Sequence, residues 1–361
     1  MKKIFVLIGS LGLGGTEKQL FLKIKKLKDK FNFSIILFYK KGELLNDFEK
    51  LNVEIIDMTE ESKLPMMKYF IFFFKLLSLI KEKRPNIIHF YLPHSYLIAG
   101  WTSFFFPNIN FLMSRRSLNL YQKKIIFINF IEKHLLHKKM RLIFANSLAI
   151  KDQLVNEEFV EKSKVKLVYN SIEINNVKKK KSKSNCISVL FLANLIPYKN
   201  HNLIIDAVRI LPKDLNYKIK VVGSGDESYR SKLLEKIRLY NLIDKFEFYG
   251  GVKNPEKLLA QSQIGILCSN EEGLSNSIIE YMNYRLPVIA TSVGGNAELV
   301  KTNFNGFLIK KGDAKGLALK LELLIRNSDL RFRLGENGFS ILKEKFSTKN
   351  ILYYQRVYSK L

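Results

Sequence analysis

The chemistry of this chain is concentrated where apolar runs end in glycine, carboxylate and lysine. The segment Cys268-Ser269-Asn270-Glu271-Glu272-Gly273-Leu274-Ser275-Asn276 leads from such a run into a helical stretch that carries Glu280. Glu272 and Glu280 are eight positions apart, the first in a loop and the second about one turn into the helix. Carboxylates of this kind accept hydrogen bonds from sugar hydroxyls, and backbone N–H groups at the helix start donate to phosphate. Lys199 stands in a second turn, Ala193-Asn194-Leu195-Ile196-Pro197-Tyr198-Lys199-Asn200, where it is placed to neutralise a diphosphate. Two more strand ends run into glycine turns, Val221-Val222-Gly223-Ser224-Gly225-Asp226 and Thr291-Ser292-Val293-Gly294-Gly295-Asn296-Ala297-Glu298. Two carboxylates, a cation and backbone donors together suit a nucleotide sugar.

The first half opens with an apolar run into Gly9-Ser10-Leu11-Gly12-Leu13-Gly14-Gly15-Thr16-Glu17. Glycines admit an anion close to the backbone, and the following helix adds its positive end. The spacing is not the G-x-G-x-x-G of a dinucleotide site, because Glu17 takes the third glycine position, and no Gly-Lys-Ser/Thr follows. That argues against a dehydrogenase or a P-loop, and a tight strand-to-helix turn accounts for the loop as well as phosphate binding does.

Alternating strands and helices must position these groups. Strand-like runs fall at residues 3–8, 33–38, 53–56, 87–90, 110–113, 142–144 and 165–168, and helical stretches at 17–28, 44–51, 68–82 and 121–137. A lysine-rich interruption at 175–184 reads as a solvated linker. Strands then resume at 188–192, 217–222, 246–249, 264–268 and 287–291, again separated by helices. This is α/β patterning: two Rossmann-like, doubly wound domains, with ligands expected at the carboxyl ends of the strands in a cleft between them. The division is 1–174, the linker 175–184, 185–348, and a final aromatic helix at 349–361 that crosses back to the first domain with Tyr353, Tyr354 and Val357 packing there.

In the order of its motifs the chain resembles the family 4 retaining glycosyltransferases of GT-B fold. The resemblance rests on Gly12–Glu17, Ala145-Asn146-Ser147, Tyr169-Asn170-Ser171, the Lys199 turn, Val222–Gly225, Glu272 with Glu280, and Gly294–Glu298. It implies a donor-binding second domain and an acceptor-binding first domain. Glu272 would contact the donor sugar as a catalytic residue, and Glu280 the ribose hydroxyls. The backbone near Gly273, Leu274 and Ser275, and Lys199, would hold sugar or diphosphate, with Gly14 and Gly15 as further donor contacts. Two departures stand out. The family's Gly-Arg before the lysine turn is Ala193-Asn194 here, so Arg115 or Arg116 is the candidate replacement cation. The family's His-x-His is His89-Phe90-Tyr91, which leaves His94 as the candidate catalytic histidine and His89 as a buried strand-end residue. His134 and His137 read as a basic helix face, and His201 has no assigned role. No Asp-x-Asp marks a strand end, so neither a metal nor another cofactor is expected.

Composition sets the bounds. The 361 residues are 47% hydrophobic, enough for two cores and too apolar for disorder. Two cysteines, Cys186 and Cys268, make no disulfide framework and fit a reducing compartment. The net charge is +27, and residues 1–184 hold 34 basic and 16 acidic residues. Such a field attracts anions, so an anionic membrane surface is an expected partner beside the nucleotide sugar and a glycan or lipid-linked acceptor. A nucleotide-sugar epimerase of the same fold and a non-enzymatic polyanion binder are the alternatives. The chain lacks the modules of sequence-specific nucleic-acid binders. The apolar start is too short for a signal peptide, and residues 69–80, interrupted by Lys75, are too short to span a bilayer. The expectation is a cytoplasmic enzyme of capsule or lipopolysaccharide synthesis, peripheral to the inner face of the membrane through its basic, apolar segments 63–84 and 104–141, with Trp101 nearby.

Overall fold

The computed structural model describes residues 1–59, 65–118, 125–175 and 186–361. Lys63, residues 121–124 of the expected helix and residues 176–184 of the expected linker lie outside them. The chain forms two compact units, Met1–Ser171 with Thr348–Leu361, and Ile172–Ser347.

The first unit is built on β1 (Lys3–Ile8), β2 (Asn32–Leu37), β3 (Glu54–Asp57), β4 (Ile87–Tyr91), β5 (Asn110–Arg115), β6 (Leu142–Ala145) and β7 (Val165–Leu167). All pair in parallel, in the order β3-β2-β1-β4-β5-β6-β7, with Ile4 opposite Ile87 and Leu7 opposite Phe90. Parallel strands covered on both faces read as continuous apolar runs. β1 is such a run: Ile4, Val6 and Ile8 enter one core, Phe5 and Leu7 the other. The helix Gly15–Leu27 brings Leu20, Ile24 and Leu27 to the first core. The helix Pro65–Lys83 brings Phe72, Leu76 and Ile80, spaced by four, to the second. Each such side chain stabilises by about 1.5–3 kcal/mol on full burial. The C-terminal helix Lys349–Lys360 lies on the first core, with Ile351, Tyr354 and Tyr358 buried and Tyr353 and Val357 at the edge.

One stretch departs from the sequence reading. Residues 126–139 form a helix, but Glu132–Leu136 makes a wider turn within it. The extra residue in that turn rotates His137 inward. His134 is exposed as expected of a basic face, whereas His137 is buried. Its Nε2 is 2.8 Å from Glu158 Oε2, and its Nδ1 is 2.7 Å from the Tyr96 hydroxyl.

The second unit repeats the winding with β8 (Ile187–Leu192), β9 (Tyr217–Val222), β10 (Phe246–Phe248), β11 (Ile264–Leu267), β12 (Val288–Thr291) and β13 (Gly306–Ile309), ordered β10-β9-β8-β11-β12-β13 and all parallel. β13 and the helices Ala314–Arg326 and Ser328–Lys345 complete it beyond the last strand read from sequence. In each sheet the winding reverses at one place, between β1 and β4 and between β8 and β11. The diverging loops there open a crevice in which doubly wound folds bind ligands. No helix among the described residues is long and apolar enough to cross a membrane.

Candidate functional site

In the second unit the reversal point gathers the expected donor residues. The turn after β8 carries Lys199, and the loop after β11 carries Glu272. Lys199 Nζ donates to Glu272 Oε1 at 2.6 Å, and the Ser269 hydroxyl donates to the same oxygen at 2.6 Å. Both charged side chains are largely buried, 17% and 9% exposed. One carboxylate oxygen is therefore fixed by two donors, which orients the other. The Asn270 N–H bonds to the Tyr198 carbonyl at 2.7 Å, tying the two turns together. A third strand end joins them: the Thr291 hydroxyl donates to the Ser269 carbonyl at 2.5 Å, and the Gly295 N–H to the Gly273 carbonyl at 3.0 Å.

Ser275 caps the helix Asn276–Asn283, its hydroxyl accepting from the Ile278 N–H. The backbone of Gly273, Leu274 and Ser275 thus lies at the positive end of a helix, and Glu280 is half-buried on the same helix. Ser277 and Tyr281 lock that helix to the strand ends. Ser277 donates to the Leu192 carbonyl at 2.6 Å, and the Tyr281 hydroxyl accepts from the Leu192 N–H at 2.6 Å and donates to the Ile266 carbonyl. Gly265 makes room for this ring, since an added Cβ would fall 2.4 Å from it. The assembly offers a cation, an oriented carboxylate, a second carboxylate and backbone donors, which can hold a diphosphate and adjacent hydroxyls. Next to it His201 is buried against Phe191, ring centres 4.6 Å apart, and burial pushes its imidazole down to about 4, the Lys199 charge adding to the effect. Among the described residues no group of three His, Cys, Asp or Glu could hold a metal ion.

In the first unit Gly14 and Gly15 open the helix Gly15–Leu27, and Gly14 has no side chain to cap it. Glu17 folds back over this end, so that a Cβ on Gly14 would lie 2.1 Å from Glu17 Oε2. Burial raises the Glu17 carboxyl, against the pull of its own backbone N–H and of Arg116. Arg116 follows β5, half-buried, donating to Asn170 Oδ1, with its guanidinium 5.9 Å from the Tyr91 ring centre. Arg115 is a different case and corrects the sequence reading. It is 1% exposed, bonded to Glu158 and 3.6 Å from Glu132, so its charge serves the core and not a phosphate.

His89 is wholly buried, its Nδ1 2.6 Å from the Tyr358 hydroxyl and its Nε2 2.9 Å from Ser114 Oγ. Tyr91 is also buried, its hydroxyl bonded to Lys23. His94 is exposed at the start of the helix Leu92–Ala99, after Leu92, which takes φ +68. A bulky residue in that region is strained. The His94 ring lies among Phe38, Tyr39 and Tyr69, with Nε2 3.3 Å from the Tyr69 hydroxyl. Partial burial and the Lys68 charge hold its imidazole below the usual value. Ser269, Tyr69 and Lys68 were absent from the sequence reading of the site. Only Ser269, within the quoted loop, left a local signal.

Two family models match the chain: glycosyl transferases group 1 over residues 173–340, and Glycosyltransferase Family 4 over residues 14–176. The Campylobacter jejuni GalNAc-alpha-(1->4)-GalNAc-alpha-(1->3)-diNAcBac-PP-undecaprenol alpha-1,4-N-acetyl-D-galactosaminyltransferase is 28% identical over 351 residues, 94% of this chain and 93% of its own. The Staphylococcus aureus capsular polysaccharide biosynthesis glycosyltransferase CapH is 25% identical over 310 residues, 83% of this chain and 84% of its own. The structure of Anabaena HepE in complex with UDP and glucose has the same fold, with a TM-score of 0.88 at 21% identity over 100% of both chains. With the two models together spanning residues 14–340, the chain belongs to the family 4, group 1 glycosyltransferases of GT-B fold.

Proposed function

We propose that the protein transfers a sugar, with retention of anomeric configuration, from a UDP- or GDP-linked donor to a hydroxyl of a glycan or lipid-linked glycan. The reaction serves capsule or lipopolysaccharide synthesis at the inner face of the cytoplasmic membrane. The observation that carries this reading is the Lys199–Glu272 pair at the reversal point of the second sheet. Lys199 and Glu272 satisfy each other's charge. With donor bound, Lys199 turns to the diphosphate, and Glu272, still held by Ser269, accepts from sugar hydroxyls. Glu280 takes the ribose hydroxyls. The glycosidic C–O bond to phosphate breaks as the acceptor oxygen bonds to the same face of the anomeric carbon, and the acceptor proton passes to the departing phosphate. Lys199 and the N-terminus of the helix Asn276–Asn283 stabilise the developing negative charge. His94 positions the acceptor.

Two relatives support the reading: one bears a name describing transfer to an undecaprenol-diphosphate-linked saccharide, and the other a name placing it in capsule synthesis. HepE, seen with UDP and glucose, shares the fold. The test is nucleotide release from a panel of UDP- and GDP-sugars, with and without a lipid-linked acceptor, and the anomeric configuration of the product read by NMR. Acceptor-dependent release with an α-linked product from an α-donor is expected. Conversion of the donor to an epimer without acceptor, or an inverted product, would refute it.

A further inference from the structure

Aromatic rings from three separate elements meet at the carboxyl ends of β2 and β4. Phe38 and Tyr39 follow β2, Tyr69 comes from the helix Pro65–Lys83, and His94 from the helix Leu92–Ala99. The His94 ring centre lies 5.0, 6.4 and 5.6 Å from those of Phe38, Tyr39 and Tyr69. Phe38 anchors the group, its ring stacked 3.8 Å from that of Phe72 in the core. Between these strands β1 runs out into Gly9, whose carbonyl accepts from the Tyr39 N–H at 2.9 Å. A Cβ on Gly9 would meet nothing within 4 Å, so the floor beside Tyr39 is open. Cations border the same place. Lys68 Nζ donates to the Tyr39 hydroxyl at 3.3 Å and lies 5.6 and 5.1 Å from the ring centres of Tyr39 and Tyr69, while Lys41 Nζ lies 5.3 Å from that of Tyr39. Among the described residues neither lysine is ion-paired with a carboxylate. Ring faces hold these charges in place without neutralising them.

We propose that this cluster is a subsite for an acidic sugar ring of the acceptor, Tyr39 and Tyr69 taking the apolar face of the ring and Lys68, with Lys41, its phosphate or carboxylate. The inference rests on the acceptor-positioning role given to His94 above, and it names what His94 positions. A pyranose has a face of C–H bonds, which packs on the electron-rich face of an aromatic ring, and an edge of hydroxyls, which needs hydrogen-bonding partners. Tyrosine supplies both, at little cost in ordering because it has only two side-chain torsions. The Tyr69 hydroxyl engages His94 Nε2 at 3.3 Å, and among the described residues His94 Nδ1 has no partner, which leaves it to a sugar hydroxyl. Distance then fixes where the anion sits on the acceptor. Lys68 Nζ is 5.1 Å from the Tyr69 ring centre, and that centre is 5.6 Å from the His94 ring, so the ammonium lies no further from the imidazole than these two steps together. The anion therefore belongs to the sugar beside His94 and not to a remote part of the acceptor. Two chemistries put a negative charge there: a phosphate on the anomeric oxygen of that sugar, as in a carrier-linked first sugar, and a carboxylate on its ring. Either forms charge-assisted hydrogen bonds with lysine.

The test is histidine NMR on the full chain without donor. The chain has five histidines, and the resonance lost in His94→Ala identifies His94. The probes are the 1-phosphates of glucose, galactose and N-acetylglucosamine, the methyl glycosides of glucuronic and galacturonic acid, the neutral methyl glycosides, and inorganic phosphate. At least one acidic sugar should shift the His94 resonance with a Kd at least about tenfold below that of its neutral counterpart, about 1.4 kcal/mol. Lys68→Met should abolish that preference and leave the neutral glycoside unchanged, with the resonances of His89, His134, His137 and His201 unmoved as the sign of an intact fold. Tyr69→Leu should weaken acidic and neutral sugars alike, by at least about fivefold. Lys199→Ala, in the second unit, should change neither. Binding by the sugar phosphates alone would assign the anion to a carrier linkage, and binding by the uronides alone to an acidic glycan. Equal affinity for acidic and neutral sugars would overturn the inference, as would a preference that survives Lys68→Met, or no shift with any probe. Inorganic phosphate binding as tightly as every sugar phosphate would reduce the cluster to a site for a bare anion and overturn it too. The expected binding in a chain that transfers no sugar would overturn only the proposed reaction.

Discussion

Replacing Lys199 by alanine removes one member of a pair whose side chains are 17% and 9% exposed, and it acts on stability and catalysis separately. Surface ion pairs contribute about 0–1 kcal/mol, and breaking a fully buried one costs about 3–5 kcal/mol. The intermediate exposure places Lys199→Ala at about 1–2 kcal/mol, because Glu272 keeps only the Ser269 hydroxyl. For a unit of this size that lowers the melting temperature by roughly 3–6 °C. Adding Glu272→Gln removes the stranded charge, so the double variant should recover about 1 kcal/mol relative to the sum of the singles. Catalysis should not recover. Loss of a cation at the leaving diphosphate costs on the order of a hundredfold in kcat/KM, about 2.7 kcal/mol. Calorimetry on the four members of the cycle, with nucleotide-release kinetics on each, separates the two effects. Wild-type kcat/KM in Lys199→Ala would refute the donor assignment, and full catalytic recovery in the double variant would show that Lys199 serves Glu272 alone.

Glu280→Gln exchanges a charged acceptor for a neutral one and should raise donor KM by about five- to tenfold with a smaller change in kcat, read from initial rates. His94→Ala should lower kcat by at least about tenfold while donor KM stays within about twofold; a normal kcat would remove His94 from the site. His201, neutral in the folded protein, binds its proton more readily when unfolded. The stability this contributes is complete above its usual value near 6.5 and is lost at about 1.4 kcal/mol per pH unit down to about 4. His201→Phe should flatten that part of the pH–stability curve, measured by urea denaturation between pH 7 and pH 4.

Much of the frame was legible because parallel strands are buried on both faces and announce themselves as apolar runs. β1 and β9 match the sequence reading to the residue, and β4 and β5 run one and two residues further. The lysine turn and the carboxylate loop were legible because strand-to-helix turns are short, so local sequence carries their chemistry. β13 was missed because four residues beginning on glycine carry little strand character. The fate of Arg115 was illegible for another reason. Its partner Glu158 lies 43 residues away, and the wide turn that buries Glu132 and His137 beside it leaves no mark in a 3.6-residue period. In sequence Glu17 only breaks a glycine fingerprint, whereas in the structure it folds over the start of its own helix.

The substitution of tyrosine at position 91 makes physical sense only with Lys23 in view. Lys23 is buried in the helix Gly15–Leu27, where its Nζ donates to the hydroxyls of Tyr91 and Tyr358, the latter at 2.8 Å. It also lies 4.6, 4.9 and 5.3 Å from the ring centres of Tyr91, Tyr354 and Tyr358. Its bonded partners are hydroxyls and not carboxylates, and burial, with the Arg116 charge adding, holds the amine well below its usual value. An amine moved toward its neutral form can stay inside a core without a counter-ion, provided its protons find acceptors, and hydroxyls and ring faces supply them. A histidine at position 91 would place a second titratable base against that amine, while tyrosine offers a hydroxyl that burial keeps protonated. The strand end is a fastening, joining β4 to the C-terminal helix through Lys23 and Tyr358 and on to His89 and Ser114. Tyr91 thus ties down the end of β4 immediately before Leu92, at φ +68, and the turn that carries His94.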